Sequence, residues 1–237
     1  MADSRTAGRI VALAGASGLV GRCLLERLCA DPGVARVHAL VRRDLPVAHA
    51  KLDAHRVDFA ALPALPAVDE VYLALGTTIK AAGSQAAFRA IDFDANLAVA
   101  LAALAAGAKR CGLVSAMNAN ARSTLFYNRV KGELEDALAA LPFDALVVAR
   151  PSMLEGDREA LGQPARPLER WGARIERVLR PLVPRNLRAI PARDVAATLA
   201  DTVPIARGHV LVESAAMQGA SSRTHPAVHE HGVFPAT

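Results

Sequence analysis

Short apolar runs alternate along most of the chain with longer stretches in which apolar positions recur every three or four residues. The short runs are bounded by glycine, proline or charged residues, and they predict strands at 9–15, 35–43, 55–59, 69–76, 109–116, 143–151 and 208–213. The periodic stretches predict helices at 21–31, 83–107, 123–141, 167–183 and 191–203. Buried strands that alternate with helices are typical of a parallel sheet covered on both faces. The pattern therefore predicts a doubly wound, mostly parallel α/β fold.

The pattern changes beyond Pro151, where proline, glycine and arginine become frequent. We predict a single domain over residues 1–218, in which the region 152–190 forms a small cleft or lid, followed by a disordered tail at 219–237. The helix at 167–183 is amphipathic and rich in arginine. It would be either a lid over a substrate cleft or a surface that docks to a membrane or a protein.

Composition narrows the class of protein. The 237 residues are 52% hydrophobic and carry a formal charge of +5, but only 4% are aromatic, which disfavours nucleic acid as a partner because stacking needs aromatic rings. No run reaches the roughly 18 consecutive apolar residues of a membrane span, so we expect no integral membrane segment. Cysteine occurs at three positions without paired spacing, Cys23, Cys29 and Cys111, which suits reduced thiols and predicts a cytoplasmic protein.

Three glycines, at positions 15, 18 and 21, separate the first predicted strand from the first predicted helix. In a dinucleotide-binding turn the first glycine permits the tight turn, the second lets the backbone approach the pyrophosphate, and the third lets helix and strand pack closely. An ordinary structural turn is the alternative. The predicted cofactor contacts here are Gly15, Ser17, Gly18, Leu19, Val20 and Gly21.

The second predicted strand ends in Arg42 and Arg43, where an enzyme that prefers NAD would carry an acid for the ribose 2′-hydroxyl. An arginine at this place favours the 2′-phosphate of NADP, although the two side chains could also be a solvated surface pair. Asp58, near the end of the third predicted strand, would accept a hydrogen bond from the adenine amino group or be a simple loop residue.

Ser115, Tyr127 and Lys131 form a second candidate constellation. Tyr127 and Lys131 stand four residues apart in a helical pattern and so share a face, and Ser115 closes the fifth strand at the edge where such sheets bind ligands. A phenol ordinarily keeps its proton at neutral pH, but a cation about 4 Å away stabilises the phenolate by about 4 kcal/mol. These residues predict a tyrosine acid–base assisted by a lysine, with the serine donating to the substrate oxygen.

The glycine spacing, Ser115 and the stretch Y-N-R-V-K at 127–131 resemble the extended or atypical short-chain dehydrogenases/reductases. The stretches LALGTTIKAAGS, YNRVKGELE and RPSMLEGDR more narrowly resemble the Tat-interacting-protein-like oxidoreductases, and the resemblance runs from Arg9 to Met217. It implies an NADP-binding Rossmann domain with an adenosine side and a nicotinamide side. It also implies a proton-relay asparagine, for which Asn96 and Asn118 both remain candidates. The implied adenosine contacts are Leu75, Gly76 and Thr77, and the implied nicotinamide contacts run from Pro151 to Leu154.

Together these features predict an NADP-dependent oxidoreductase that acts on a small-molecule carbonyl/alcohol pair. Two alternatives stay open: a nucleotide-binding redox sensor without turnover, and a nucleotide-sugar epimerase or dehydratase. We expect no metal site, since His229 and His231 lack a second cluster of ligands. The oligomeric state is open, with a homodimer as one candidate.

Overall fold

The computed structural model describes residues 8–155 and 188–222. Seven strands form one sheet in the order β3-β2-β1-β4-β5-β6-β9, and every neighbouring pair is parallel. These strands are β1 (Arg9–Ala14), β2 (Val34–Val41), β3 (Leu52–Arg56), β4 (Glu70–Leu73), β5 (Arg110–Val114), β6 (Ala145–Arg150) and β9 (Gly208–Glu213). A separate parallel pair joins β7 (Leu154–Glu155) to β8 (Ile190–Pro191).

Helices cover both faces of the large sheet, which confirms the predicted doubly wound α/β fold. They are α1 (Leu19–Ala30), α2 (Ile79–Ala82), α3 (Gln85–Arg89), α4 (Asn96–Ala105), α5 (Phe126–Ala139), α6 (Ala192–Thr202) and α7 (Ser214–Met217). A π-helical segment, Ala90–Ala95, joins α3 to α4. Within the described ranges, none of these helices combines the length and the apolar character needed to cross a membrane.

Two apolar clusters form the core, one on each face of the sheet. Leu24 and Leu28 of α1 pack with Val195 and Leu199 of α6 on the first face. The second face buries apolar side chains of α4 and α5 against the strands: Val99, Ala103, Leu134 and Leu138. The strand order reverses between β1 and β4. The helix that follows β1 therefore covers one face of the sheet, and α4, which follows β4, covers the other. This divergence opens a crevice at the carboxyl ends of the two strands.

The third strand lies three residues earlier than predicted, at Leu52–Arg56 instead of 55–59. It is an edge strand, and none of its side chains is fully buried, so its sequence carries little apolar signal. The prediction placed the strand too late because Val57 and Phe59 are apolar. These two residues follow the strand and pack on the second core cluster.

The long helix predicted at 83–107 is interrupted. The π-helical segment Ala90–Ala95 separates α3 from α4, and the side chain of Asn96 lies against it. The Nδ2 group of Asn96 donates to the carbonyl oxygens of Ile91, Asp92 and Leu75 at 3.3, 3.2 and 3.2 Å. A π turn inserts one residue without ending the apolar periodicity, so the pattern alone reads as one continuous helix.

The first four residues of the predicted tail, 219–222, are part of the folded structure. Ala220–Ser222 forms a 3₁₀ turn, and the carboxylate of Asp194 in α6 accepts hydrogen bonds from the backbone N–H groups of Gly219 and Ser221 at 2.8 and 3.1 Å. Residues 223–237 lie outside the described ranges. So do residues 156–187, which contain most of the predicted lid and its arginine-rich helix.

Candidate functional site

The turn between β1 and α1 has the geometry that its three glycines suggest. Gly15 has a φ of +91°, and a Cβ atom there would lie 2.3 Å from the carbonyl oxygen of Ala74. A Cβ atom on Gly21 would lie 1.9 Å from the carbonyl oxygen of Gly15. Gly18 differs, because a Cβ atom there would contact only that same oxygen, at 3.4 Å. Gly15 and Gly21 therefore shape the turn, while Gly18 leaves space above it.

That space belongs to a cavity of about 370 Å³ at the carboxyl ends of the central strands. Eleven of the residues predicted for the site line it: Gly18, Leu19, Val20, Leu75, Gly76, Thr77, Ser115, Tyr127, Lys131, Pro151 and Leu154. Ser152 and Met153, within the predicted stretch from Pro151 to Leu154, line it as well. Six further lining residues were not predicted: Ala74, Thr78, Ala81, Asp92, Val114 and Ala116. The cavity thus brings the glycine turn and the Ser–Tyr–Lys constellation together.

The amino end of α1 faces this cavity and suits an anion. No described side chain caps the helix, and its first turn holds no acidic residue. The first helical hydrogen bond runs from the N–H of Arg22 to the carbonyl of Gly18 at 2.9 Å, which leaves the amides of Leu19 and Val20 without a helical acceptor. Amides without a helical acceptor and the positive end of the helix dipole favour negative charge, so the residues present fit a dinucleotide pyrophosphate.

Six predicted cofactor residues do not line the cavity. Gly15, Ser17 and Gly21 support it as part of the turn. Arg42 and Arg43 are exposed just beyond the carboxyl end of β2. Asp58 is also exposed, and its carboxylate accepts a hydrogen bond from the N–H of Ala60 at 2.9 Å, an arrangement typical of a turn.

Lys131 is ion-paired inside the cavity. Its Nζ atom lies 2.7 Å from an Asp92 carboxylate oxygen, and the two side chains are 5% and 0% exposed. The second carboxylate oxygen of Asp92 accepts the backbone N–H of Thr77 at 2.9 Å. Burial raises the pKa of Asp92, and the cation of Lys131 and the N–H of Thr77 only partly oppose that rise. The cation predicted to assist Tyr127 therefore already has a carboxylate partner.

Ser115 is held by a second acid. Its hydroxyl donates a short hydrogen bond to Glu135, one turn beyond Lys131 on α5. Glu135 in turn accepts two hydrogen bonds from the guanidinium of Arg150, at 3.1 and 2.5 Å. A serine hydroxyl has one proton to donate. To donate to a substrate oxygen as predicted, Ser115 has to turn away from Glu135.

Tyr127 lies on the cavity wall one helical turn before Lys131, with its ring centroid 5.4 Å from that of Phe88. Gly76 lies opposite, where a Cβ atom would come within 3.8 Å of the Lys131 Nζ atom. Neither candidate relay asparagine lines the cavity. Asn96 stabilises the π-helical segment, and Asn118 is exposed with a φ of +61°.

Sequence reasoning missed Asp92 and Glu135, for different reasons. Glu135 follows Lys131 by four residues, so the helical spacing that paired Tyr127 with Lys131 extends directly to it. Asp92 comes from the π-helical segment, and no local spacing connects it to Lys131. Only the packing of that segment on α5 brings the two side chains together.

Comparison with known proteins places the chain in a family. The protein fmp52 of Emericella nidulans, named mitochondrial, is 35% identical over 173 residues, which cover 69% of this chain and 74% of that protein. The chain belongs to the FMP52 family. FMP52 of Candida albicans, also named mitochondrial, is 39% identical over 153 residues, covering 61% of this chain and 67% of that protein. No family model matches the chain.

Solved structures show the same fold as this FMP52-family chain. The Bordetella bronchiseptica enzyme WbmG, solved with NAD, has a TM-score of 0.62 at 16% identity and covers 90% of this chain and 74% of its own. A short-chain dehydrogenase/reductase-family oxidoreductase from Burkholderia thailandensis has a TM-score of 0.62 at 19% identity, covering 89% and 93%. At these identities the likeness shows the fold alone, a mostly parallel sheet with helices on both faces.

The prediction of a cytoplasmic location is wrong. The FMP52 relatives from Emericella nidulans, Eremothecium gossypii, Coccidioides immitis and Candida albicans are all named mitochondrial. The prediction rested on two observations: unpaired cysteines, which indicate a reducing environment, and the lack of a long apolar run, which indicates that no segment spans a membrane. Neither observation distinguishes one reducing compartment from another.

Proposed function

We propose that this FMP52-family protein is an NADP-dependent oxidoreductase acting on a carbonyl/alcohol pair. One observation carries the proposal: a single cavity is lined by the glycine turn at the amino end of α1 and by Ser115, Tyr127 and Lys131. A dinucleotide and a reducible carbonyl need those two halves side by side. The resemblance to the Tat-interacting-protein-like oxidoreductases supports the same activity, and the names of the FMP52 relatives support a mitochondrial location.

Several residues would hold the cofactor. The amides of Leu19 and Val20 would meet the pyrophosphate, Leu75 to Thr77 would lie beside the adenosine, and Pro151 and Leu154 beside the nicotinamide. When bound, the nicotinamide supplies or accepts a hydride. Arg42 and Arg43, exposed at the end of β2, would bind the 2′-phosphate and so favour NADP.

The protein's own residues would move the proton. The Tyr127 hydroxyl would give its proton to the substrate oxygen during reduction, with Lys131 stabilising the phenolate that remains. Ser115 would donate a hydrogen bond to the same oxygen. Asp92 would weaken the effect of Lys131 on the phenolate, because its carboxylate compensates the Lys131 cation. Glu135 would compete with the substrate oxygen, because it accepts the hydrogen bond that Ser115 donates.

The same two acids favour a second candidate, a nucleotide-binding redox sensor without turnover. With Lys131 paired to Asp92 and Ser115 bonded to Glu135, two of the three groups of the constellation are engaged within the protein. A sensor needs only the glycine turn and a response to the bound nucleotide. The two candidates differ in whether the Tyr127 hydroxyl takes part in a reaction.

Tyr127→Phe tests this difference, because it removes one hydroxyl and leaves the ring contact with Phe88 in place. We expect NADPH affinity to persist and NADPH consumption with small aldehydes, ketones and quinones to fall by about 10²- to 10⁴-fold. Lys131→Ala is a poorer test, since it leaves the Asp92 carboxylate buried and unpaired at a cost of about 3–5 kcal/mol.

Tyr72→Phe is the matched control. Tyr72 is the other of the chain's two tyrosines, and its hydroxyl donates to Glu70 at 3.0 Å, outside the cavity lining. Its loss should lower stability without changing the rate of turnover. A Tyr127→Phe protein that reduces a substrate at the unmodified rate would rule out the acid–base role, and NADPH binding without turnover of any carbonyl would favour the sensor.

A further inference from the structure

Two histidines and an aspartate meet on the edge of the sheet, outside the cofactor cavity. In the parallel register of β2 and β3, His38 pairs with Asp53 and Leu40 pairs with His55. Side chains two residues apart on a strand point to the same face, so His38, Asp53 and His55 share one face of the sheet. Two hydrogen-bonded strands thus fix the relative positions of three potential ligands.

The ligand atoms are close together. His38 Nδ1 lies 2.9 Å from His55 Nε2 and 3.7 Å from an Asp53 carboxylate oxygen, and one ligand atom of each residue lies within 4.8 Å of the other two. A tetrahedral zinc ion with bonds of about 2.0–2.1 Å places its ligand atoms about 3.3 Å apart. The observed separations lie on both sides of that value, so small rotations of the side chains suffice.

We propose that His38, Asp53 and His55 form a binding site for a divalent transition-metal ion of the zinc class. Imidazole nitrogen and carboxylate oxygen are ligands that such ions prefer. Three protein ligands leave the fourth position to water, and Asp53 is half-exposed, so the ion would exchange with solvent. The ion would tie the edge strand β3 to β2.

The surroundings of His38 suit this role. Burial of His38, and next the neighbouring His55, lower the pKa of His38, which keeps the ring neutral and its lone pair available. A neutral imidazole carries its proton on one ring nitrogen and binds a metal ion through the other. Binding therefore needs a change of tautomer in the ring that donates the His38–His55 hydrogen bond.

One nearby group opposes the ion. A guanidinium nitrogen of Arg36 lies 3.6 Å from the Asp53 carboxylate, and both side chains are half-exposed. The arginine competes for the same oxygen and adds like charge beside the metal. Removing Arg36 should therefore strengthen metal binding.

Zinc titration of the full, untagged chain tests the site. The chain has seven histidines, of which three lie beyond residue 222, so the parent protein carries His225→Ala, His229→Ala and His231→Ala. After treatment with a chelator and buffer exchange, calorimetry should show one zinc ion bound per chain. His55→Ala and Asp53→Ala should each weaken that binding at least tenfold, and His209→Ala, an exposed histidine on β9, should leave it unchanged.

Two further results decide the proposal. Zinc should raise the thermal unfolding midpoint of the parent protein but not that of His55→Ala, whose own midpoint without zinc shows that it is folded. Arg36→Ala should bind zinc several-fold more tightly. The proposal fails if the parent binds no zinc, if His55→Ala binds it as well as the parent does, or if Arg36→Ala binds it no more tightly.

Discussion

At the scale of single residues, the candidate site differs from a simple tyrosine–lysine pair because a buried carboxylate accompanies the lysine. The Lys131 Nζ atom and an Asp92 carboxylate oxygen are 2.7 Å apart, and both side chains are almost fully excluded from solvent. A compensated cation stabilises a nearby phenolate less than a free one does. Asp92 would therefore control how strongly Lys131 acts on Tyr127.

Asp92→Asn isolates that effect. It keeps the side-chain shape but leaves the Lys131 cation without its partner, so the free energy of unfolding should fall by about 3–5 kcal/mol. If the protein is a reductase, the uncompensated cation should shift the alkaline limb of its pH–rate profile to lower pH by about one unit, equivalent to about 1.4 kcal/mol. Chemical unfolding and kcat/KM against pH measure the two effects.

Asp94→Asn is the matched control, since it makes the same chemical change at an exposed position two residues away. It should alter neither the unfolding free energy by more than about 0.5 kcal/mol nor the pH profile. An Asp92→Asn protein that is destabilised but keeps the original pH profile would show that the ion pair serves stability alone.

At the scale of secondary-structure elements, the sequence predicted what depends on local pattern and missed what depends on packing. The buried strands and α1, α5 and α6 follow from apolar periodicity, and the residues of the glycine turn and of the Tyr127–Lys131 pair follow from short spacings. Asp92 could not be found this way, because its position depends on a π-helical segment that leaves the apolar period intact. The edge strand β3 was misplaced because its exposed side chains carry little apolar signal.

Helix α6 illustrates a contact between elements that can be tested. The carboxylate of Asp194, near its amino end, accepts two backbone N–H groups and the Ser221 hydroxyl from the turn at 219–222. Burial alone would raise the pKa of Asp194, but the hydrogen bonds from Ser221 and Gly219 outweigh it and hold this pKa below its ordinary value of 3.8. The ionised carboxylate therefore stabilises the folded state.

Asp194→Asn should lower the unfolding free energy by about 1–3 kcal/mol at pH 7. Because the folded-state pKa is depressed, the carboxylate contributes fully above the unfolded-state value of about 3.8 and loses its contribution as the pH falls below it. The difference between the two proteins should therefore narrow in acid. Asp201 is also on α6, and its exposed carboxylate pairs with Arg27 of α1. Asp201→Asn should therefore lower the unfolding free energy by less than about 1 kcal/mol.

At the scale of the whole molecule, the amino ends and the carboxyl ends of the strands differ in what they carry. At the amino ends of β1 and β4, Arg9 contacts the fully buried Glu70 at 2.7 Å, and Tyr72 donates to the same carboxylate. That network links two strands and lies outside the cavity lining. The carboxyl ends carry the glycine turn, the cavity and the paired acids. Substitutions at the first end should change stability, and substitutions at the second should change binding.

Cofactor preference tests this division, because a nucleotide that binds only the folded protein raises its unfolding midpoint in proportion to the logarithm of its concentration over Kd. Arg42 and Arg43 are exposed, so replacing both with alanine should leave the nucleotide-free midpoint nearly unchanged. NADPH should bind the unmodified protein about 10- to 100-fold more tightly than NADH, as one charge-assisted hydrogen bond to the phosphate requires. In the double variant that advantage should disappear while NADH binding persists.

Arg207→Ala is the matched control, because Arg207 is exposed beside β9, at the opposite edge of the sheet. This variant should keep the preference for NADPH over NADH. Equal stabilisation of the unmodified protein by NADPH and NADH would instead mean that the two arginines are only a solvated pair on the surface.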